Sequence, residues 1–198
     1  MTQTAAPVKH YLDQFASVAP TLPGGGLPWL RQARESAIRQ FSDIGFPTAR
    51  TEAWKYTRVT PIEKRRFAPS ASVPPLSPAD VERFHLAATD CHRMVFVDGQ
   101  FSASLSSLGE FPDGVVIETL AEAIEQSPAE LESLLGPDET DSRECFSALN
   151  SAFMRDGAVI RLGRDAVVLH PIHLIFLASG QQNDIVSHPR VVVLAQRG

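Results

Sequence analysis

Residues 157–195 read GAVIRLGRDAVVLHPIHLIFLASGQQNDIVSHPRVVVLA, and this stretch decides the fold. Apolar, β-branched runs at Ala158–Leu162, Ala166–Leu169, Ile172–Ala178 and Val191–Ala195 are separated by Gly163-Arg164-Asp165, Pro171, Gly180–Asp184 and Pro189. Runs of four to seven apolar residues bounded by such breakers predict strands. His170-Pro171 and His188-Pro189 stand at the junctions, where a residue without a ladder donor belongs at a corner or an edge. Short strands broken by corners fit the turns of a β-helix or a jelly roll, and periodicity does not separate the two. A solenoid coil buries its apolar inside only against neighbours. The sequence stops at Gln196-Arg197-Gly198, directly after an apolar strand and with no capping helix. The expectation is a stack cut off early, continued by further chain or covered by another copy.

Upstream the texture is helical. Val8, Tyr11, Leu12, Phe15 and Val18 fall on one stripe, as do Leu30, Ala33, Ala37, Ile38, Phe41 and Ile44, the second helix closed by Gly45 and Pro47. A proline-rich connector with Gly24-Gly25-Gly26 lies between them. Ser77-Pro78 predicts a short helix over 79–87. Met94-Val95-Phe96-Val97 followed by Asp98-Gly99 and Gln100-Phe101 predicts a hairpin, and Val115-Val116-Ile117 a further strand. Ser127-Pro128-Ala129-Glu130 opens a helix to Leu135, ended by Gly136-Pro137, and another runs over Ser142–Met154. The fold class is therefore α+β. Three segments follow by texture: a helical region with linker over 1–90, a small α/β segment with a lead-in helix over 91–156, and the strand region over 157–198.

Composition bounds the function. The chain has 198 residues, 43% hydrophobic and 21% charged, with a net charge of −5. These values are those of a globular protein rather than a disordered one. The longest apolar stretch, around Ile172–Ala178, is far short of the roughly 20 residues that span a bilayer, and Met1–Pro7 offers no charged leader followed by an apolar block. No membrane and a cytoplasmic location are expected. Cys91 and Cys145 lack metal-finger spacing and read as reduced thiols. The acidic balance argues against nucleic acid. Charge is nonetheless uneven: residues 1–66 hold ten Lys/Arg against five Asp/Glu, and the remainder eight against eighteen. A basic patch for an acidic partner, two parts of the chain that attract each other and a merely solvated helix surface all fit this asymmetry.

Chemistry is sparse. There is no nucleophile elbow, and Cys91 and His92 would point to opposite faces of a strand. Gly24-Gly25-Gly26 lacks the Lys-Ser/Thr of a phosphate-binding loop. His170, His173 and His188 could line a cupin-like metal site, but the spacing of three sets His170 and His173 on opposite strand faces, and no carboxylate follows before Asp184. Glycoside chemistry would need paired carboxylates, and the strand region offers only Asp165 and Asp184, both in turns. The stretch GFPTARTEAWKYT, residues 45–57, gathers Trp54 and Tyr56 among charged and hydroxyl residues directly after a helix stop. These two are candidate interaction or packing anchors.

GFPTARTEAWKYT also resembles the N-terminal signature of the SufD family, subunits of the SUF machinery for iron–sulfur cluster assembly. MVFVDGQF with LSSL, FSALNSAFMRDGAVIRL, and HPIHLIFLASG with SHPRVVVLA resemble later parts of that family in the same order, covering nearly the whole chain. The paralogous SufB family shares the lead-in to the strand region, whereas the EAWKYT block is more like SufD. The resemblance implies an N-terminal helical region, the start of a right-handed parallel β-helix, and beyond it a C-terminal helical domain that docks the ATPase SufC. It implies a scaffold subunit acting by protein–protein association with SufB-like and SufC-like partners in a SufBCD complex, with the iron–sulfur cluster as transient cargo and no enzymatic activity of its own. The family's later Cys and His positions and its SufC-docking surface fall outside this sequence. No catalytic, cofactor-binding or metal residue is carried over. A stand-alone adaptor whose basic N-terminal part binds an acidic protein is the further alternative to the cupin-like enzyme.

Overall fold

The computed structural model describes residues 6–84, 90–136, 144–181 and 184–196. In chain order the elements are α1 (Ala6–Val18), α2 (Pro28–Ile44), α3 (Thr60–Glu63), β1 (Ala68–Pro69), α4 (Pro78–Glu82), β2 (His92–Val97), β3 (Gln100–Phe101), β4 (Val115–Thr119), α5 (Leu120–Gln126), α6 (Pro128–Leu135), α7 (Cys145–Phe153), β5 (Gly157–Leu162), β6 (Ile172–Leu177), β7 (Ile185–Val186) and β8 (Arg190–Ala195). Short 3-10 turns lie at Ala19–Thr21, Glu52–Trp54 and Ala103–Leu105. Two units are formed, each from two separated stretches: residues 1–68 with 124–154, and residues 69–123 with 155–198. This grouping is by packing, whereas a cut at residues 90 and 156 follows texture along the chain.

The first unit is helical. The predicted stripes of α1 and α2 bury Val8 and Tyr11, and Ala37, Ile38 and Phe41, against Cys145, Ala148, Leu149, Ala152 and Phe153 of α7. Tyr11 packs edge-on to Phe41 at 5.7 Å and to Phe153 at 6.4 Å between ring centroids, the arrangement that ring quadrupoles favour. Gly45 ends α2 with φ 64°, its N–H donating to the Phe41 carbonyl at 2.8 Å. Arg34, 2% exposed, donates to the carbonyls of Pro23 at 2.8 Å and Met154 at 3.1 Å, the latter at the C-terminal end of α7. A helix end with orphan carbonyls is a favourable place for a cation, and burial still draws the guanidinium down to about 10.

The second unit carries the sheets. Strand order is β3-β2-β6 in one and β4-β5-β8 in another. β2 and β6 pair parallel, His92 with Ile172 through Val97 with Leu177. β5 and β8 pair parallel, Gly157 with Arg190 through Leu162 with Ala195, while β4 joins β5 antiparallel. β2 is covered on both faces, which explains an unbroken Met-Val-Phe-Val run: Val95 and Val97 pack with Val81 of α4, Leu105 and Ile175, and Met94 and Phe96 with Ala158. The predicted Asp98-Gly99 hairpin is present, with φ of 49° and 81° as a type I′ turn requires. Asp98 also accepts the Ser179 N–H at 2.9 Å and its hydroxyl at 2.6 Å, locking the ends of β2 and β6 together. Asp156, 8% exposed, accepts the N–H groups of Gly157 at 2.8 Å, Phe101 at 3.2 Å and Ala121 at 3.4 Å.

One expected strand is absent. Residues Ala166–Leu169 form no strand; Val167 and Leu169 are 65% and 84% exposed. An apolar run becomes a strand only where a neighbour supplies the other half of the ladder, and this one has no ladder partner among the described residues. The helix α5 was not expected at all. The helix after Ser77 runs Pro78–Glu82; its expected continuation over 85–87 lies outside the described residues, as do Ser142 and Pro137.

Candidate functional site

β6 and β8 each stand at the edge of their sheet. In an in-register parallel pair, partnered residues project to the same face, so each row can be followed outward one strand at a time. In the first sheet Phe96, 1% exposed, is partnered by Phe176, 41% exposed, their rings stacked 5.0 Å apart at 12°. In the second, Ala158 and Ile160, at 0% and 7%, are partnered by Val191 and Val193, at 42% and 57%. Met94, Phe96 and Ala158 share one cluster, so these rows line an interior on which both sheets converge. These rows are buried at β2 and β5 and turn more exposed at Phe176 of β6 and at Val191 and Val193 of β8. Edge strands that carry exposed apolar side chains are a template for further strands.

The histidines do not assemble. His170 is exposed, its ring 6.2 Å from that of His92. His173 is half-buried on β6, partnered across the ladder by Arg93. His188 is half-buried before β8, and burial holds its imidazole down to about 4. Among the described residues no three His, Cys, Asp or Glu side chains are grouped to hold a metal ion. The cupin-like alternative finds no ligand set in these positions. Cys91 is half-buried; Cys145 is buried on α7, where desolvation and then the Glu144 charge push its thiol up to about 12. A thiol held that far above neutral pH is a poor nucleophile.

Trp54 and Tyr56 part ways. The Trp54 indole lies 5.1 Å from the Phe146 ring and is half-buried, a packing anchor. Tyr56 is 92% exposed, with the Lys55 ammonium 5.5 Å from its ring centroid.

Residues 5–174 match the family model for the SufBD protein N-terminal region. The chain belongs to the SufBD family. A SufBD relative in Synechocystis sp., described as an iron–sulfur cluster assembly SufBD family protein, is 29% identical over 163 residues. The match takes in 82% of this chain and 36% of that relative, so the chain spans about a third of its SufBD relative's length. No helix among the described residues is long and apolar enough to cross a membrane. The exposed apolar residues of β6 and β8 were legible in the sequence only as apolar strand runs; which of them face the shared cluster was not. Where a strand is apolar at nearly every position, alternation gives little clue to the inner face.

Proposed function

We propose that this chain is the N-terminal part of a SufD-like subunit that serves iron–sulfur cluster assembly as a scaffold. The match over residues 5–174 carries the reading. The EAWKYT block, residues 52–57, favours SufD over SufB. In this reading the parallel pairs β2–β6 and β5–β8 are the first coils of a right-handed β-helix, and further coils of a longer chain continue from β6 and β8. The unsealed Phe176, Val191 and Val193 rows support that continuation, because each is set to receive one more strand. The subunit acts by association in the cytoplasm, with SufB-like and SufC-like partners, rather than by chemistry of its own. The cluster is cargo, handled by parts of the complex outside the residues described.

Co-expression of the longer parent chain with SufB-like and SufC-like subunits tests the proposal. A three-component complex is expected to survive affinity purification and gel filtration. A parent chain that elutes alone, with both partners folded and present, would overturn it.

A further inference from the structure

Residues 48–66 carry six cations, Arg50, Lys55, Arg58, Lys64, Arg65 and Arg66, against Glu52 and Glu63. Backbone bonds coil this stretch into two successive turns: Trp54 N–H to Thr51 and Thr57 N–H to Trp54 carbonyls, both 2.9 Å, then Ile62 and Glu63 N–H to the Val59 carbonyl at 2.8 and 3.0 Å. Two apolar side chains pin the turns. Trp54 rests on Phe146 at the rim of the helical core, and Val59 is 5% exposed. Between these anchors all four residues, Lys55-Tyr56-Thr57-Arg58, face solvent.

This is an economical way to present a side chain. A tyrosine left 92% exposed forgoes the burial of a large ring, while its backbone is held from both sides and loses little further freedom on binding. Tyr and Arg are the residue types over-represented where binding energy concentrates. Lys55 and Arg58 flank the ring in sequence, and the Lys55 ammonium stands over it. A guanidinium is built to take a carboxylate on two parallel hydrogen bonds. The interruptions at Glu52 and Glu63 suit separate carboxylates better than the evenly spaced charges of a phosphate backbone.

We infer that Lys55-Tyr56-Thr57-Arg58, held between Trp54 and Val59, is a docking loop for an acidic surface of a partner protein, with Tyr56 entering an apolar recess bordered by carboxylates. The site lies in the helical unit and is separate from the strand edges invoked above, so it stands or falls independently of the scaffold reading.

Fluorescence anisotropy of a labelled amphipathic helical peptide, Glu on one face and Leu on the other, titrated with the full chain supplies the test. Binding that weakens with added salt, and by about tenfold or more in both the Lys55→Gln/Arg58→Gln pair and Tyr56→Ala, is expected, while all variants keep the parent's melting temperature. These side chains are exposed, so folding is preserved; Tyr56→Phe, which keeps the ring, should retain binding. Equal binding of the charge-reversed Lys peptide, unchanged affinity in the variants, or tighter binding of poly(dT) or phosphatidylglycerol vesicles than of the acidic peptide would each overturn the inference.

Discussion

His188 sits two residues ahead of β8, and burial holds its imidazole down to about 4 from an ordinary 6.5. The native state therefore keeps the ring neutral through a range in which the unfolded chain takes up a proton. Stability linked to this group is complete above pH 6.5 and is lost as the pH falls from 6.5 towards 4, by up to about 3 kcal/mol. That figure is an upper one, since the ring keeps some exposure to water. Asp156 works the other way. Desolvation outweighs its three N–H donors and raises its carboxyl, so the native form holds its proton longer than the unfolded one, and stability falls as the pH rises through that window. Comparison with His188→Gln isolates the imidazole, because Asp156 is common to both proteins. Urea unfolding of the wild type between pH 7 and 4.5 should show a progressive loss that the variant lacks; parallel curves would remove His188 as the cause. Neither group announced itself in the sequence. His188 read as a corner residue, and Asp156 as an unremarked acid before a glycine, because burial is a property of packing rather than of residue type.

Elements were legible to the degree that their signals were local. The stripes of α1 and α2, the hairpin at Asp98-Gly99 and the apolar strands β5, β6 and β8 all stand close to where periodicity places them. α5 was missed although Thr119 and Glu122 make a reciprocal cap, the Glu122 carboxylate accepting Thr119 N–H at 3.0 Å and Glu122 N–H reaching the Thr119 hydroxyl at 3.1 Å. A Thr-x-x-Glu signal directly behind a strand is easily read as strand continuation. The parallel pairing of β2 with β6 could not be read at all, since nothing local links His92 to Ile172. Gly157 is where such pairing becomes testable. Its φ is 153°, and a Cβ there would be driven into the Arg190 carbonyl oxygen on β8, a backbone atom that cannot swing aside. Gly26, by contrast, has open space around the same position and no positive φ. Gly157→Ala should cost about 2–4 kcal/mol and speed hydrogen exchange along 190–195, whereas Gly26→Ala should leave both within about 0.5 kcal/mol of wild type. Unaltered exchange in Gly157→Ala would mean that β8 does not depend on this close approach.

At the scale of the molecule, the open rows make a prediction about association. Three large apolar side chains, Phe176 on β6 and Val191 and Val193 on β8, are 41–57% exposed on the edge strands of the two sheets, and Leu169 is 84% exposed. Covering such side chains is worth roughly 1.5–3 kcal/mol each when burial is complete, and β6 and β8 stand as edge strands among the described residues, so a further strand can pair with them. No charged side chain projects inward from either edge on these rows to deter pairing. The 198-residue chain made by itself should therefore self-associate, with a weight-average mass in sedimentation that rises with concentration. Phe176→Lys/Val193→Glu places charge on both rows, and each residue is already exposed enough to accept it without a buried ion. This variant should sediment as a monomer at concentrations where the wild type does not, with far-UV circular dichroism unchanged because both positions are already partly open to solvent; losing the Phe176 ring from its stack on Phe96 lowers the melting temperature without changing the fold. A control with Val116→Lys, 48% exposed on β4 and on the opposite sheet face from the Ile160 row, should associate like wild type. If the wild type is monomeric throughout, or if Val116→Lys disperses it as well as the paired substitution does, the open rows are not the adhesive surface.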